Sequence, residues 1–383
     1  MEYKAYLGAS EREIEDFYVG GRQVEDLWGG DTLLWKKGDT GFSNIFKFEW
    51  KDEITFQIAG NGQVKIKNSY GYSTTSKKTT EAREFTYKQS GVHVTKLILQ
   101  SDVNFKLVFV NKKIQDTETT AHYESSLTRI LSSIPSNIYQ ITANAVYFPA
   151  PDFAISGSNA KAPYFYEVPE DLFKYHKDFT TIEYAFYNCE NFKRIPDKLL
   201  NGMTELSSVM NAFQNTAITA IPERLFEDCT KITIFSGTFK GTKITSIPSK
   251  LFSTQTKPNS FGLCFSNTRI TSVSAELFSW ISNIPKSDWA TDDIYFGELF
   301  KDCTELQFVS SDFLSFMMQD NWFWWIQVRE IFRGCTKLIN APKLWKITEV
   351  AGGTTTVTPS NSDDAYRDCT SLPWYDEIPN SMK

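Results

Sequence analysis

From residue 168 onward, apolar positions return in a fixed order. An opening pair stands at Val168-Pro169, Ile195-Pro196, Ile221-Pro222 and Ile247-Pro248, followed by Val273-Ser274, at spacings of 27, 26, 26 and 26 residues. Shortly after each comes an apolar pair: Leu172-Phe173, Leu199-Leu200, Leu225-Phe226, Leu251-Phe252 and Leu277-Phe278. Another Phe follows 13 residues beyond the second member, at Phe186, Phe213, Phe239 and Phe265. Each unit therefore divides into two halves of about 13 residues. Later units keep the anchors but lengthen, with Phe265, Phe300, Phe332 and Tyr366 spaced 35, 32 and 34 apart. Their openings persist at Val309-Ser310, Ala341-Pro342 and Ile378-Pro379, and a looser unit begins at Ile134-Pro135.

One such unit cannot bury its own apolar side, whereas stacked units share a continuous core, so the pattern predicts a solenoid. The β-branched ITxIP stretch suits one short strand per coil. Pro directly after it suits the first turn of a helix or helical turn, where a missing N–H costs little.

Residues 42–115 follow a different period. FKFEW, EITFQIAG, GQVKIKN, REFTYKQ, VHVTKLILQ and NFKLVFV alternate or are β-rich, and turn residues such as those of AGNGQ separate them. They predict a β-sandwich. The first 37 residues hold three short units opened by Tyr6-Leu7-Gly8, Tyr18-Val19-Gly20-Gly21 and Trp28-Gly29-Gly30. Glycine turns between short strands predict a small meander that needs a neighbour to be stable. The expected fold class is thus α/β and β, multidomain. It comprises an N-terminal β module (1–40), an Ig-like sandwich (41–123) and a repeat solenoid (124–383).

Composition narrows the function. Aromatic residues make up 15% of the 383-residue chain, which marks an ordered protein with a large core. The net charge of -6 is mixed along the sequence without a Lys/Arg block, so no nucleic-acid partner is expected. Apolar runs are strand-sized, so no membrane insertion is expected. The opening MEYKAYLGASEREIEDFYVGG has neither a basic n-region nor an apolar h-region. A secretory signal is therefore not expected, and assembly in a reducing cytoplasm is.

Four of the six cysteines share a local setting, as in FEDCTKI, FKDCTEL, FRGCTKL and YRDCTSL. Three residues past each anchor stand Cys189, Thr216, Thr242, Thr268, Cys303, Cys335 and Cys369. In the first half-unit the matching position holds Met203, Cys229 and Gln255, and Cys264 is out of frame. A zinc site needs its full thiolate or imidazole set, and Thr cannot supply it. The expectation is small, half-polar core packing with no metal and no cofactor. The acidic pairs Asp292-Asp293 and Asp363-Asp364 lack calcium-loop spacing, and the reading is of a protein that is not an enzyme.

The pattern IPERLFEDCTKITIFSGTFKGTKITSIPSKLF resembles the BspA-like leucine-rich repeats of gut bacterial surface proteins and of phages infecting such bacteria. The resemblance runs from about residue 125 to the last residue, and the last three units are longer than its consensus. The N-terminal units YLGASEREIEDF, YVGGRQVEDL and WGGDTLLWKK resemble a YxGxxxVxxxYxGDxLVW segment common near the termini of phage tail and fibre proteins. The middle region is similar to the PKD-like (Ig-like) domains that precede such repeats, although Tyr70-Gly71-Tyr72 stands where that family has a G-D-G turn.

These resemblances imply a bacteriophage virion protein of tail-fibre, spike or head-decoration type, located in the virion after assembly in the host cytoplasm. Tyr18, Trp28 and Trp35 would dock it to other virion proteins, and a homo-oligomer is expected. A bacterial surface adhesin, a capsule depolymerase and a purely architectural capsid or collar protein stay open as rivals. The stretch FMMQDNWFWWIQV is too aromatic for one core to absorb. Trp322, Phe323, Trp324 and Trp325, with Trp289 and Tyr295, are the expected contacts to a host surface protein or glycan. Added residues cluster near 279–298, 315–329 and 346–365, and insertions in a solenoid map to one face. No polar capping unit is legible before IPNSMK, so either long loops fold over this end or another chain covers it.

Overall fold

In the computed structural model, the described residues are 45–60, 64–69, 73–76, 79–99, 103–110, 112–115, 121–142, 153–154, 160–284, 294–318, 325–350 and 353–383, with short strands within 18–36. They are mostly strand, turn and bend with few helices, a β-rich multidomain architecture. The N-terminal module has two antiparallel hairpins, β1 (Tyr18–Val19) with β2 (Arg22–Gln23) and β3 (Asp26–Gly29) with β4 (Thr32–Lys36). They fall in the second and third of the three glycine-opened units, and the first, at Tyr6-Leu7-Gly8, lies outside the described residues.

The middle region is one hydrogen-bonded sheet, built around two long strands, β5 (Ile45–Gly60) and β8 (Thr79–Leu99). The other strands are β6 (Val64–Asn68), β7 (Ser73–Ser76), β9 (Phe105–Val110), β12 (Leu127–Ile130), β13 (Ile138–Thr142) and β14 (Phe153–Ala154). The order is β14-β13-β9-β5-β8-β6-β7, with β12 on the other half of β5. A separate sheet joins β10 (Lys112–Gln115), β11 (Ala121–Glu124) and β15 (Ala160–Lys161).

The sheet packs on itself. Phe48 and Phe56 are eight residues apart on β5, about 26 Å along an extended strand. Their ring centroids nevertheless lie 5.5 Å apart. The bend falls where the β5–β8 register shifts, between Lys51 and Glu53. Asp52 has φ 61° there, and its carboxylate accepts the Gly91 N–H at 2.8 Å, Gly91 itself standing at φ 99°. Strands that pass from one layer to the other through a bulge make the corner of the fold. FKFEW and EITFQIAG are therefore one strand, as are REFTYKQ and VHVTKLILQ. The sheet also reaches past residue 123, since β12, β13 and β14 belong to it.

Beyond residue 160, each unit lies beside the next. Parallel bridges run Thr181 to Ser208 to Ile234 to Ser260 to Tyr295. The ladder continues as β17 (Ile294–Tyr295) beside β19 (Ile326–Gln327). A second ladder pairs β16 (Ser272–Val273) with β18 (Phe308–Val309), and Phe308 bridges to Asn340. In the half-unit around each anchor, alternate N–H groups donate to the next unit. Asn211, Phe213 and Asn215 donate to Ser236, Thr238 and Lys240, and Glu298, Phe300 and Asp302 to Arg329, Ile331 and Arg333.

This ladder needs two left-handed residues per unit, four apart. They are Tyr184 and Asn188, Asn211 and Asn215, Gly237 and Gly241, Leu263 and Asn267, Glu298 and Asp302, Glu330 and Gly334, and Asp364 and Asp368. A Cβ at Gly237 or Gly241 would collide with the Asn211 or Asn215 side chain of the preceding unit, so glycine serves both conformation and stacking there.

The anchor rings form a column. Phe186, Phe213, Phe239, Phe265, Phe300 and Phe332 stack with centroids 5.5, 5.7, 5.6, 5.8 and 5.9 Å apart and planes within 9°. The 35-residue unit enters the column at the same spacing as its shorter neighbours, so its extra residues leave the stack undisturbed. Apolar side chains from Phe46 to Met382 make one connected core.

The segments after each opening pair, expected as a helix or a helical turn, are turns in most units. Among the described residues the one α-helix is α1 (Glu276–Ser279), with a few 3-10 turns, and the equivalent segments elsewhere are turns. Proline at the first position suits either form, and these segments close on themselves with three-residue turns, the Leu199, Leu225 and Leu251 N–H groups donating to the Pro196, Pro222 and Pro248 carbonyls. At the far end Asp364 and Tyr366 donate to the Ser381 and Met382 carbonyls, and Met382 is fully buried. The segment after Ile378 thus supplies a rung to the Asp364–Tyr366 ladder.

Candidate interaction surface

The three enlarged units open at one edge of the stack. Ile284 and Ile294 bracket the first insertion, Met318 and Trp325 the second, and Trp345 and Asn361 the third. Their return points are hydrogen-bonded neighbours: Ile294 N–H donates to Trp325, and Val328 N–H to Asn361. The third insertion is an antiparallel hairpin, β20 (Lys346–Val350) with β21 (Gly353–Val357). Nearly all of it is exposed, with Ile347 at 69% and Val350 at 49%. A two-stranded ribbon with both faces in water is marginal alone.

Of the aromatic residues expected to make contacts, Trp322, Phe323, Trp324 and Trp289 lie outside the described residues. Trp325 is 44% exposed at the return of the second insertion. Tyr295 is half-buried, and its ring lies over the backbone of Gly262 and Gly297, where a Cβ on either glycine would strike it. The ladder places the two aromatics in adjacent units, because Ile294 pairs with Ile326. Tyr295 is therefore largely a packing residue and Trp325 largely a surface one. Tyr18, Trp28 and Trp35 sit in β1, β3 and β4, and the orientation of their side chains lies outside the described residues.

Two exposed apolar residues escaped the pattern reading, Phe308 at 49% and Ile339 at 44%. They occupy the second ladder, where Phe308 aligns with Ser272, and the Gln307 carbonyl accepts the Ile339 N–H. Comparing rungs in frame would have found them, since shorter units place Thr and Ser there, as in Ile244-Thr245-Ser246-Ile247.

The cysteines are packing residues with a directed thiol. All six are buried and unpaired with one another. Cys303, Cys335 and Cys369 donate to the anchor carbonyls of the preceding unit, Phe265, Phe300 and Phe332, at 3.1, 3.1 and 3.0 Å. The hydroxyls of Thr216, Thr242 and Thr268 instead donate to the anchor carbonyls of their own units, at 2.9, 2.8 and 2.8 Å. Both residues thus bring one short donor to the same buried row of carbonyls, which explains their exchange. Burial pushes the Cys369 and Cys229 thiols up to about 12, so the nucleophilic thiolate is disfavoured.

The carboxylates are structural as well. Asp364 holds a left-handed ladder position and pairs with Arg367 at 3.3 Å, while the Asp363 carbonyl accepts the Glu330 N–H. Asp292-Asp293 lie outside the described residues. Glu330 is buried between Lys301 at 2.7 Å and Arg333 at 2.8 Å. Burial disfavours its charge, yet hydrogen bonds from these two cations outweigh that and hold its carboxyl below the usual range. Glu49 behaves alike. Burial opposes ionisation, but hydrogen bonds from Arg129 and Thr128 lower its pKa and tie β5 to β12. Comparison with protein-family models gives no match, and comparison with curated proteins finds no similar protein.

Proposed function

We propose that this chain is a non-enzymatic structural protein of a bacteriophage virion, of tail-fibre, spike or head-decoration type. In this reading residues 124–383 are a BspA-like leucine-rich-repeat solenoid, residues 41–123 give the core of an Ig/PKD-like domain, and residues 1–40 attach the chain to the particle. The 26-residue period, the stacked anchor column and the unit-to-unit bridges support the solenoid. The glycine-punctuated hairpins of the first 36 residues support an attachment module.

The observation that carries recognition is the common edge from which all three insertions leave, in the units farthest along the chain from that module. A rigid stack presents variable loops without disturbing its core, and such a role uses area and shape rather than chemistry. Host-surface protein or glycan is the partner class for this edge, and other copies of the chain are partners in assembly. The test is binding of fluorescent protein to host cells, comparing the full chain with one in which 346–357 is replaced by a short Gly-Ser turn. Loss of cell binding with an unchanged melting temperature is expected. Undiminished binding refutes recognition by that insertion.

A further inference from the structure

A cleft of about 500 Å³ lies far from the insertions, where β12 meets the first unit of the stack. Its floor is aromatic. Phe165 points into the core at 0% exposure, and its neighbours Tyr164 and Tyr166 turn outward at 42% and 44%. Both rings line the cleft, with Asn191, Lys193 and Arg194 from the next unit opposite them.

The rings are held in place by charge. The Lys51 ammonium lies 5.0 Å from the Tyr164 centroid, and the Arg129 guanidinium 5.6 Å from that of Tyr166. The Tyr166 hydroxyl also donates to the buried Glu49 carboxylate at 3.4 Å. Part of the cation set is already satisfied. Arg194 pairs with Glu170 at 2.6 Å, and Glu167, which also lines the cleft, pairs with Arg129 at 3.4 Å. Arg194 also meets Asp197 at 3.4 Å, and Arg129 is shared by Glu49 and Glu167, so Lys193, which has no carboxylate partner among the described residues, is the cation that the cleft can offer beside its two flat rings.

We propose that this cleft binds an acidic saccharide. The C–H faces of a sugar ring would lie on Tyr164 and Tyr166, its hydroxyls would meet Asn191, and its carboxylate would meet Lys193. Aromatic faces alternating with polar heads match a ring that is apolar above and polar at its rim. A lipid tail would need apolar walls, which Asn191, Lys193, Arg194 and Glu167 do not supply. A nucleic-acid strand would need a basic track, and the chain carries a net charge of -6. The site stands on its own geometry and does not depend on the virion assignment.

The test is saturation-transfer NMR and titration calorimetry on the full chain. The probes are digalacturonic acid and sialyllactose as acidic ligands, lactose as a neutral one, and adenosine monophosphate as an aromatic anion. Saturation transfer to at least one acidic sugar is expected. Its affinity should fall roughly tenfold on Lys193→Ala, the equivalent of one lost charge-assisted hydrogen bond. Transfer should vanish on Tyr164→Ala. Both side chains are exposed, so an unchanged thermal melt certifies that the variants fold. No transfer to either acidic sugar, equal binding of lactose, preference for adenosine monophosphate, or binding that survives Tyr164→Ala each overturns the proposal.

Discussion

Replacing Phe265 by Leu isolates what the anchor column contributes. The ring is fully buried and lies between Phe239, at 5.6 Å and 5°, and Phe300, at 5.8 Å and 9°. Leucine keeps most of the apolar burial and removes both stacks. Each aromatic pair contributes about 0.5–1.5 kcal/mol beyond its area. Losing the two stacks predicts a cost of about 1–3 kcal/mol, to which loss of the tilted Phe252 contact at 6.1 Å and the part of the ring volume left as a void add. Truncation to Ala should cost more, about 3–5 kcal/mol, out of a total stability commonly about 5–15 kcal/mol. Because each unit touches only its neighbours, the damage should stay local. Hydrogen exchange followed by mass spectrometry reads this directly. The Asn267, Gly241 and Phe239 amides, which bond across the adjacent units, should lose protection, while those of β5 and β8 should not. Phe265→Leu costing no more than an exposed substitution such as Lys231→Ala would refute the column as a source of stability. Equal loss of protection in β5 would refute the nearest-neighbour picture.

Three other outcomes are expected. Cys335→Thr should cost about 1 kcal/mol or less in denaturant unfolding, since a hydroxyl there can reach the Phe332 carbonyl as the other threonines reach theirs, and a cost above about 3 kcal/mol contradicts the shared-donor account. Tyr366→Phe should cost about 1–3 kcal/mol, because the buried hydroxyl donates to the Pro342 carbonyl and accepts the Leu344 N–H, and an unchanged melt contradicts that. Glu49 has a lowered folded pKa, so its pairing with Arg129 stabilises above the ordinary glutamate range, about pH 4.3, and is lost as pH falls through the folded value. Thermal melts should therefore drop more steeply in acid for the native chain than for Glu49→Gln, and parallel acid profiles contradict the linkage.

The repeat could be read from the sequence because its anchors carry volume. Only a large apolar ring fills the column, so Phe or Tyr recurs at each anchor, and the frame that exposed Cys and Thr as equivalents follows from it. The left-handed pairs were half legible. Asn211 and Asn215 or Gly237 and Gly241 are residues that favour that conformation, but Tyr184, Leu263, Glu298 and Glu330 adopt it with no local preference for it. There the cross-unit ladder decides, and no single unit contains it. The same limit hid the continuity of β5 and β8. Lys51-Asp52 and Ser90-Gly91 read as turns, whereas across the pair they form one bulge whose bonds join distant segments. The Tyr164–Tyr166 cleft was invisible for a related reason, since its cations come from β5, β12 and the following unit.

The central claim is that the chain belongs to a particle and faces outward with its enlarged units. Electron cryomicroscopy of phage particles purified from lysates in which the chain is made tests it most directly. The account predicts density for the stack, held at its N-terminal end, with the edge marked by Ile294, Trp325 and the 346–357 hairpin exposed to solvent. Particles that lack the chain, or density in which that edge is buried against the capsid, would contradict it.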